Sequence, residues 1–448
     1  MNIPLNQIYN FLDGLIDGGN IIYRFSPHGS RNLQDLTSLN AYPSTHQQWI
    51  NAVTVIMHDQ EPLNFDFYNP KYLDTCIDMW AQNNLTGIVK SLEFSNIRNH
   101  LLSLNLGFIR HGTTLHDTSI ICHSEKRSPE IEKYTAVGLT DVYWWSHAII
   151  AQDWYRYAQN DPLLRCFPSP HTFDFNVYNR AWAGTREYRL KFADLVIENN
   201  LVASCNLTFN QVDADIHYTN HQYVNSNFVP KNNLSMLPPN IASSADSASY
   251  SANDYQQCWF DVVLETLFDD PRLHLTEKIL RPIACGKPFI LAGTIGSLEY
   301  LKSYGFRTFG EFIDESYDLE TDPVKRLEKI ILLMKQIKCL SILEKQLLNT
   351  KLAGITEYNK NRFFSNDFSK YIIDEFTNNY TNAYEVCNKN KLGNNWLTHR
   401  QLANKNPNLK TIIRQDNSYR TRKDIADMIR YCRSLKSCQQ RQSSLTQE

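Results

Sequence analysis

The chain lacks the features that mark secreted, membrane-spanning and metal-stabilised proteins. None of its ten cysteines forms a Cys-x-x-Cys pair, so the sequence predicts neither a zinc site nor a disulfide framework. No run approaches the roughly 18 apolar residues of a membrane-spanning helix. Residues Met1 to Gln7 carry no basic region followed by an apolar run, so we expect no signal peptide. These absences favour a protein of the reducing cytoplasm.

Gly-x-Gly-x-x-Gly and Walker-type phosphate loops are missing as well, and there is no internal repeat. The 448 residues are 42% hydrophobic and 21% charged, which is typical of a globular protein. A chain of this length is long enough for two domains of ordinary size.

The charge is unevenly distributed. Residues 389–448 hold 13 lysines and arginines against four acids, a balance of +9. Because the whole chain carries −2, the remainder carries −11. This split predicts an anionic partner for the tail, with DNA as the candidate; the alternative is a solvated, partly helical tail.

In the first third of the chain, three apolar runs predict strands that end in polar residues. They are Trp49–Met57, Ser119–Cys122 and Asp141–Trp145. In α/β sheets, ligands bind at the carboxyl ends of the strands. The residues at and just after the ends of these runs are therefore acceptor-side candidates: His58, His123, Glu125, Trp145 and His147.

The middle of the chain predicts a second series of strands and helices. The predicted strands are Phe173–Tyr178, Phe260–Leu264 and Arg307–Phe309. The predicted helices are one capped by Thr185 that runs to Glu198, then His147–Ala158, Ser297–Tyr304, and Pro323–Leu348 as one long amphipathic helix or a pair. Residues 226–257, rich in Asn, Ser and Pro, predict a long loop.

These patterns predict an α/β fold with two Rossmann-like domains facing each other across a cleft, plus a basic, mainly helical tail. Residues 1–170 form the expected acceptor-side domain and 171–348 the donor domain. Residues 349–390 form a helical segment that returns to the first domain, and 391–448 form the tail.

The segment from His274 to Gly293 is the most informative. Thr276, Glu277 and Lys278 predict a helix start, which is an anion site with an added lysine charge. Arg281 follows one turn later, and a Gly-Lys-Pro turn then leads into an apolar strand. The lysine or arginine of such a site neutralises a diphosphate, and the glutamate accepts from ribose hydroxyls.

This segment, with Pro288-Phe-Ile-Leu-Ala-Gly293 and Tyr300, resembles the donor motif of the α1,3-fucosyltransferases over roughly residues 173–310. Most of the chain also resembles phage-encoded glycosyltransferases. The shared runs are Tyr143–His147, Tyr178–Arg189 and Glu315–Asp318.

The resemblance implies that Glu277 and Lys278 hold the nucleotide. It also implies an arginine on the diphosphate from early in the donor domain, for which Arg180 and Arg186 both stand as candidates. Pro282 stands where the fucosyltransferases commonly have Asn, so the sugar is left open. Arg189 is interpreted as the partner of a surface acid.

A transferase also needs a base to deprotonate the acceptor. Asp59 and Glu61 come first, because they follow the clearest apolar strand. Asp213-Ala-Asp215 is a weak metal-binding pattern, and basic residues are available for the phosphates, so no metal is expected. The only cofactor expected is the nucleotide sugar, as co-substrate.

The sequence thus predicts an inverting, metal-independent glycosyltransferase. The expected acceptor is a hydroxylated or hydroxymethylated pyrimidine in phage DNA, flipped out of the duplex. Trp144, Trp145 and Trp182 are candidates to stack on the flipped base, although packing in the core is the commoner fate of such residues. One alternative is transfer to a surface glycan. Another, from a different class, is a non-catalytic nucleotide- or DNA-binding protein.

Overall fold

Two four-stranded parallel sheets organise the chain. The computed structural model describes residues 21–25, 53–58, 62–63, 119–136, 140–165, 171–239 and 247–392. Within this part, the fold is α/β, as expected. No helix in these residues is long and apolar enough to cross a membrane.

The first sheet places its strands side by side in chain order: β1 (Ile21–Phe25), β2 (Val53–His58), β3 (Ser119–His123) and β4 (Thr140–Tyr143). In register, His123 pairs with His58 on one side and with Tyr143 on the other. The carboxyl ends of β2, β3 and β4 therefore lie level, and the polar residues that follow β3 and β4 share one edge.

The second sheet reverses its strand order. β5 (Phe173–Asn179) lies in the interior, with β6 (Cys205–Phe209) on one side and β9 (Cys258–Leu264) on the other; β10 (Phe289–Ala292) lies beyond β9. A short hairpin, β7 (Val212–Asp213) and β8 (Ile216–His217), follows β6. After β5 the chain continues to β6 on one side of that strand, and it later adds β9 on the other side. The boundary between β5 and β9 is therefore a topological switch point.

Helices cover opposite faces of this second sheet on the two sides of the switch point. Successive strand residues point to opposite faces. The Asn179 side chain contacts the backbone of Arg189 in α3 (Tyr188–Glu198), whereas the Tyr178 ring lies under Arg281 of α5 (Glu277–Cys285). The sheet is therefore doubly wound, and the starts of α3 and α5 flank the switch point.

Helix α5 has local reasons to begin and end where it does. Thr276 is its N-cap and accepts from the Lys278 amide. Gly286 ends it with φ 70°, a left-handed conformation that glycine adopts without steric cost. The other helices are α1 (Pro129–Ala136), α2 (Ser146–Trp154), α4 (Ala252–Gln257), α6 (Ser297–Ser303), α7 (Pro323–Cys339), α8 (Ile342–Phe363) and α9 (Asn366–Leu392).

Helix α9 runs back along the first sheet. Glu375 accepts from the amide of Trp145 at 3.4 Å, beyond the carboxyl end of β4. Farther along α9, Cys387 lies 3.7 Å from Thr140, at the amino end of the same strand. The helix is therefore antiparallel to β4, and the buried side chains of both sheets and of α9 belong to one continuous core.

Three sequence predictions of secondary structure are wrong. Residues 307–309 form no strand, because Arg307 instead stacks on Tyr358 of α8 and its backbone bonds Asn359. Residues 226–257 are not one loop: they contain short 3₁₀ turns and α4, although 240–246 lie outside the described residues. Thr185 does not cap α3; its hydroxyl donates to the carbonyl of Thr266.

Candidate functional site

The switch point of the second sheet lies where β5 ends at Asn179 and β9 ends at Leu264. The loops that leave these two strands carry Arg180 and Glu265, and the second loop leads into α5. A crevice at such a point is the usual ligand position in an open α/β sheet. Strand order, which local sequence does not reveal, thus brings the predicted donor residues to one place.

Glu265 holds the start of α5 in place. Its buried carboxylate accepts from the Thr276 hydroxyl at 2.7 Å and from the amides of Thr276 at 3.2 Å and Thr266 at 3.3 Å. Sequence reasoning missed this residue. The available signal was a carboxylate directly after a buried strand, which was noted for Asp59 and Glu61 but overlooked here.

Lys278 lies over the helix start that Glu265 fixes. Its Nζ is 3.2 Å from the hydroxyls of both Thr266 and Thr276 and 3.1 Å from Oε1 of Glu277. The side chain is 25% exposed. The ammonium therefore adds a solvent-reachable positive charge beside the amides at the N-terminus of α5.

Glu277 is shared between the two halves of the chain. Its Oε1 meets Lys278, and its Oε2 lies 3.4 Å from Nδ1 of His147, an ion-pair contact rather than an aligned hydrogen bond. Burial alone would raise the pKa of Glu277, but Lys278 and His147 hold it well below its usual range. The carboxylate is therefore ionised at neutral pH.

Arg281 is a buried arginine that bonds no acceptor among the described residues. Its guanidinium lies 4.1 Å from the ring centre of Tyr178 and the residue is 6% exposed. Its Nε is fully buried without a hydrogen-bond partner, and no described residue forms an ion pair with the guanidinium. A permanently charged group in this setting is costly unless an anion joins it.

Arg180 approaches the same ring. Its guanidinium lies 5.2 Å from the centre of the Tyr178 ring. The loop that leaves β5 and the first turns of α5 therefore each place one arginine beside the same tyrosine. Arg186 is half-buried at the end of a 3₁₀ turn, Gly184–Arg186, where its charge acts on the Tyr188 phenol. Of the two candidates, Arg180 is the one that lies against the same tyrosine ring as Arg281.

Two acidic or basic features of the sequence have structural roles. Arg189 does not pair with a surface acid, as was expected; it is buried and donates to the carbonyls of Ala181 and Leu264 at 2.6 Å each. Asp213 accepts from the amides of Trp182 and Ala183 at 2.7 Å each. The Asp-x-Asp pattern is thus a hairpin turn that supports the loop after β5, and no metal-binding group of His, Cys, Asp or Glu occurs in the described residues.

The carboxyl ends of β3 and β4 face the segment before α5. Lys126 and Leu273 pair their backbones at 2.9 and 2.8 Å. Glu125, 3% exposed, accepts from the amide of Leu63 and lies 3.6 Å from Nη1 of Arg272. The donor motif thus adjoins the edge of the first sheet that carries the acceptor-side candidates.

The remaining acceptor-side candidates differ in their roles. His123 is buried, with Nε2 3.7 Å from Asp141. His147 is buried beside His274, with ring centres 5.0 Å apart. Trp145 is fully buried and donates from Nε1 to the carbonyl of Leu275 at 2.8 Å, so its ring is not presented to a ligand.

Trp144 and Trp182 are buried as well, at 2% and 0% exposure, which removes the proposed base-stacking surface. Asp59, Glu61 and the side chain of His58 lie outside the described residues, as does the tail beyond Leu392.

A cavity of about 840 Å³ lies away from this chemistry, between α3, α7 and residues 226–231. Its lining includes Lys191, Glu198, Glu328 and Lys335, and none of the predicted site residues. We assign the functional site to the switch point, because charge and topology converge there and not in the cavity.

Comparison of the chain with known protein families, with curated proteins and with solved structures gives no match.

Proposed function

We propose that the chain is a nucleotide-sugar-dependent glycosyltransferase, inverting and independent of metal. The observation that carries this proposal is the buried guanidinium of Arg281, which has no acceptor among the described residues and lies beside Arg180 at a topological switch point. A diphosphate supplies the anion that this site needs.

The donor side has complementary parts for a nucleoside diphosphate. Arg281 and Arg180 offer planar donors that fit phosphate oxygens in pairs. Lys278 and the α5 amides add charge on the same side. Together these groups stabilise the negative charge that accumulates on the diphosphate as it leaves.

Neighbouring side chains hold the Glu277 carboxylate in the structure. Lys278 and His147 occupy both of its oxygens. In the proposed donor complex, Lys278 turns toward the diphosphate, which frees Oε1 of Glu277 to accept from a ribose hydroxyl.

The proposed acceptor side is the edge of the first sheet at which the carboxyl ends of β2, β3 and β4 lie side by side. An acceptor hydroxyl attacks the sugar carbon and forms the new C–O bond, while the bond from that carbon to the phosphate oxygen breaks. The hydroxyl proton passes to a carboxylate, for which Asp59 and Glu61 remain the first candidates. A two-domain arrangement with the acceptor between the halves belongs to this proposal.

The proposed acceptor is a hydroxylated or hydroxymethylated pyrimidine of DNA in a phage-infected cytoplasm. The balance of +9 in residues 389–448 favours a polyanionic acceptor over a neutral surface glycan. The burial of Trp144, Trp145 and Trp182 means that other groups must hold a flipped base.

The test is a screen of nucleotide sugars by thermal shift and by hydrolysis, with Lys278→Ala as the comparison. Turnover of one donor, lost in the variant, supports the enzyme. Stabilisation without turnover under any acceptor condition favours the non-catalytic nucleotide-binding alternative. No stabilisation by any nucleoside diphosphate contradicts both.

A further inference from the structure

Three chain segments meet at Leu63. Its amide donates to Oε1 of Glu125 at 2.5 Å, and its carbonyl accepts from Nη1 of Arg272 at 2.8 Å. Glu125 follows β3 of the first sheet, whereas Arg272 immediately precedes the donor motif. Both backbone groups of one residue are thus held by an acid from one half of the chain and a base from the other.

The arginine of this arrangement is rigidly placed. Asp270 accepts from its Nε at 2.8 Å and from its Nη2 at 2.6 Å, the paired geometry that fixes a guanidinium plane. The next residue, Leu273, forms the two-bond backbone bridge with Lys126, which itself follows Glu125. Glu125 and Arg272 therefore stand in a fixed relation across that bridge, 3.6 Å apart.

We propose that Glu125 and Arg272 form a positioning pair for the transfer reaction: they hold Leu63, which follows β2 in the sequence, against the start of the donor motif, and they do so fully only when Glu125 is ionised. This inference rests on the proposed function, because it assigns the acceptor side of that same site. In sequence, Leu63 lies two residues after Glu61, the predicted base.

Glu125 is placed to respond to pH. Burial raises its pKa to about 7, against the lowering effect of Arg272. Among the neighbouring groups, Asp270 raises that pKa, and the His123 ring lies beside the Glu125 backbone, with its Nδ1 accepting from the Glu125 amide at 3.3 Å. Oε2 makes no aligned hydrogen bond, even with the nearby Ser128 hydroxyl, so the carboxylate depends on Arg272 and Leu63 for stabilisation.

Ionisation of Glu125 strengthens its contacts with both Arg272 and Leu63. Above pH 7 the carboxylate is charged, attracts Arg272 and accepts a charge-assisted bond from Leu63. Below pH 7 it takes up a proton and both interactions weaken. We therefore expect kcat to fall as pH drops through about 7, with donor affinity unaffected, since the donor groups lie on α5 and β5.

The first experiment measures kcat, KM and nucleoside diphosphate affinity from pH 5.5 to 9 in the wild type, Glu125→Gln and Glu132→Gln. Glu132 is an exposed glutamate on α1 and serves as the matched control. The amide of Glu125→Gln retains an acceptor for Leu63 but cannot ionise. We expect kcat in that variant to be about tenfold lower at pH 8, the scale of one charge-assisted bond, and its acid limb near pH 7 to vanish. If kcat of Glu125→Gln still falls below pH 7 as it does in the wild type, the inference is overturned.

The second experiment separates this inference from the proposed function. Hydrogen exchange at the Leu63 amide, corrected for intrinsic rates, needs no substrate. We expect roughly tenfold less protection in Glu125→Gln and further loss in Glu125→Ala, with no change in Glu132→Gln. Lost protection with unchanged kcat overturns the positioning role and leaves the glycosyltransferase intact. Unchanged protection of the Leu63 amide shows that Glu125 does not hold Leu63 and overturns the positioning pair, whether or not any nucleotide sugar turns over.

Discussion

Replacing Arg281 by methionine tests whether its guanidinium serves a ligand or the fold. Methionine keeps an unbranched apolar stem of similar reach and removes the charge and every donor. The guanidinium touches the Tyr178 ring at 4.1 Å but bonds no described acceptor, so the two roles predict opposite results. If the guanidinium binds a ligand, its removal lowers the affinity for that ligand. If it is a structural cation, its removal lowers the free energy of unfolding.

The magnitudes follow from these contacts. A bonded guanidinium–phosphate pair loses roughly 3 kcal/mol when the donors are removed, at about 1.5 kcal/mol for each of two charge-assisted bonds. That loss weakens nucleoside diphosphate binding about 150-fold. For the fold, the variant loses a cation–π contact of roughly 1 kcal/mol and the electrostatic attraction to the buried carboxylate of Asp261, and it gains from removal of a buried charge that bonds no described acceptor. The free energy of unfolding should therefore change by no more than about 1 kcal/mol.

The assay pairs calorimetric titration of nucleoside diphosphates with denaturant unfolding. Arg307→Met is the matched control, because Arg307 also stacks on a tyrosine, at 3.9 Å from the Tyr358 ring centre, but is exposed and outside the switch point. The control should bind like the wild type. If Arg281→Met instead lowers the unfolding free energy by about 3 kcal/mol or more and leaves the dissociation constant unchanged, Arg281 is a structural cation and the main support for the donor site is lost.

Further predictions concern the lysine, the base, the tail and pH. Lys278→Ala should cut activity by about 10²–10³-fold with the fold retained, and full activity would contradict the donor assignment. Of Asp59→Asn and Glu61→Gln, the variant of the true base should abolish transfer but bind donor normally; normal transfer by both places the base elsewhere. Deleting residues 391–448 should raise KM for duplex DNA in a salt-dependent manner and leave donor hydrolysis unchanged, and equal, salt-insensitive DNA binding by both forms refutes a role for the tail. Because the folded-state pKa of Glu125 exceeds its unfolded value of 4.5, its contribution to stability should decline as pH rises from about 4.5 to 7, and denaturation of Glu125→Gln should lack that decline.

Local sequence was enough to predict the elements around the donor motif. The apolar run ending at Leu264 and the Thr276 start followed by Gly286 correspond to β9 and α5, because burial and capping depend on neighbouring residues. Strand order was not predictable in the same way. Nothing in the residues of β5 indicates that β9 lies beside it, and that pairing is what brings Arg180 toward Arg281.

The failures have a common physical origin in contacts between distant segments. Arg189 looked like a surface residue, but it donates to carbonyls 75 and 76 residues away, at the end of β9. The weak Asp-x-Asp pattern gave no indication of what Asp213 bonds, and two amides of the loop after β5 occupy it. Glu265 and the Glu125–Arg272 pair were missed as supports for the same reason, since their partners lie in other segments.

The direction of α9 determines where the basic tail begins. From Glu375, beside the carboxyl end of β4, to Cys387, beside its amino end, the helix advances about 18 Å at about 1.5 Å per residue. The helix continues to Leu392, so the chain enters its tail beyond the amino end of β4, on the opposite side of the first sheet from the proposed acceptor edge. An anionic partner that contacted both the first tail residues and that edge would therefore have to span at least about 18 Å, the distance that α9 covers along β4.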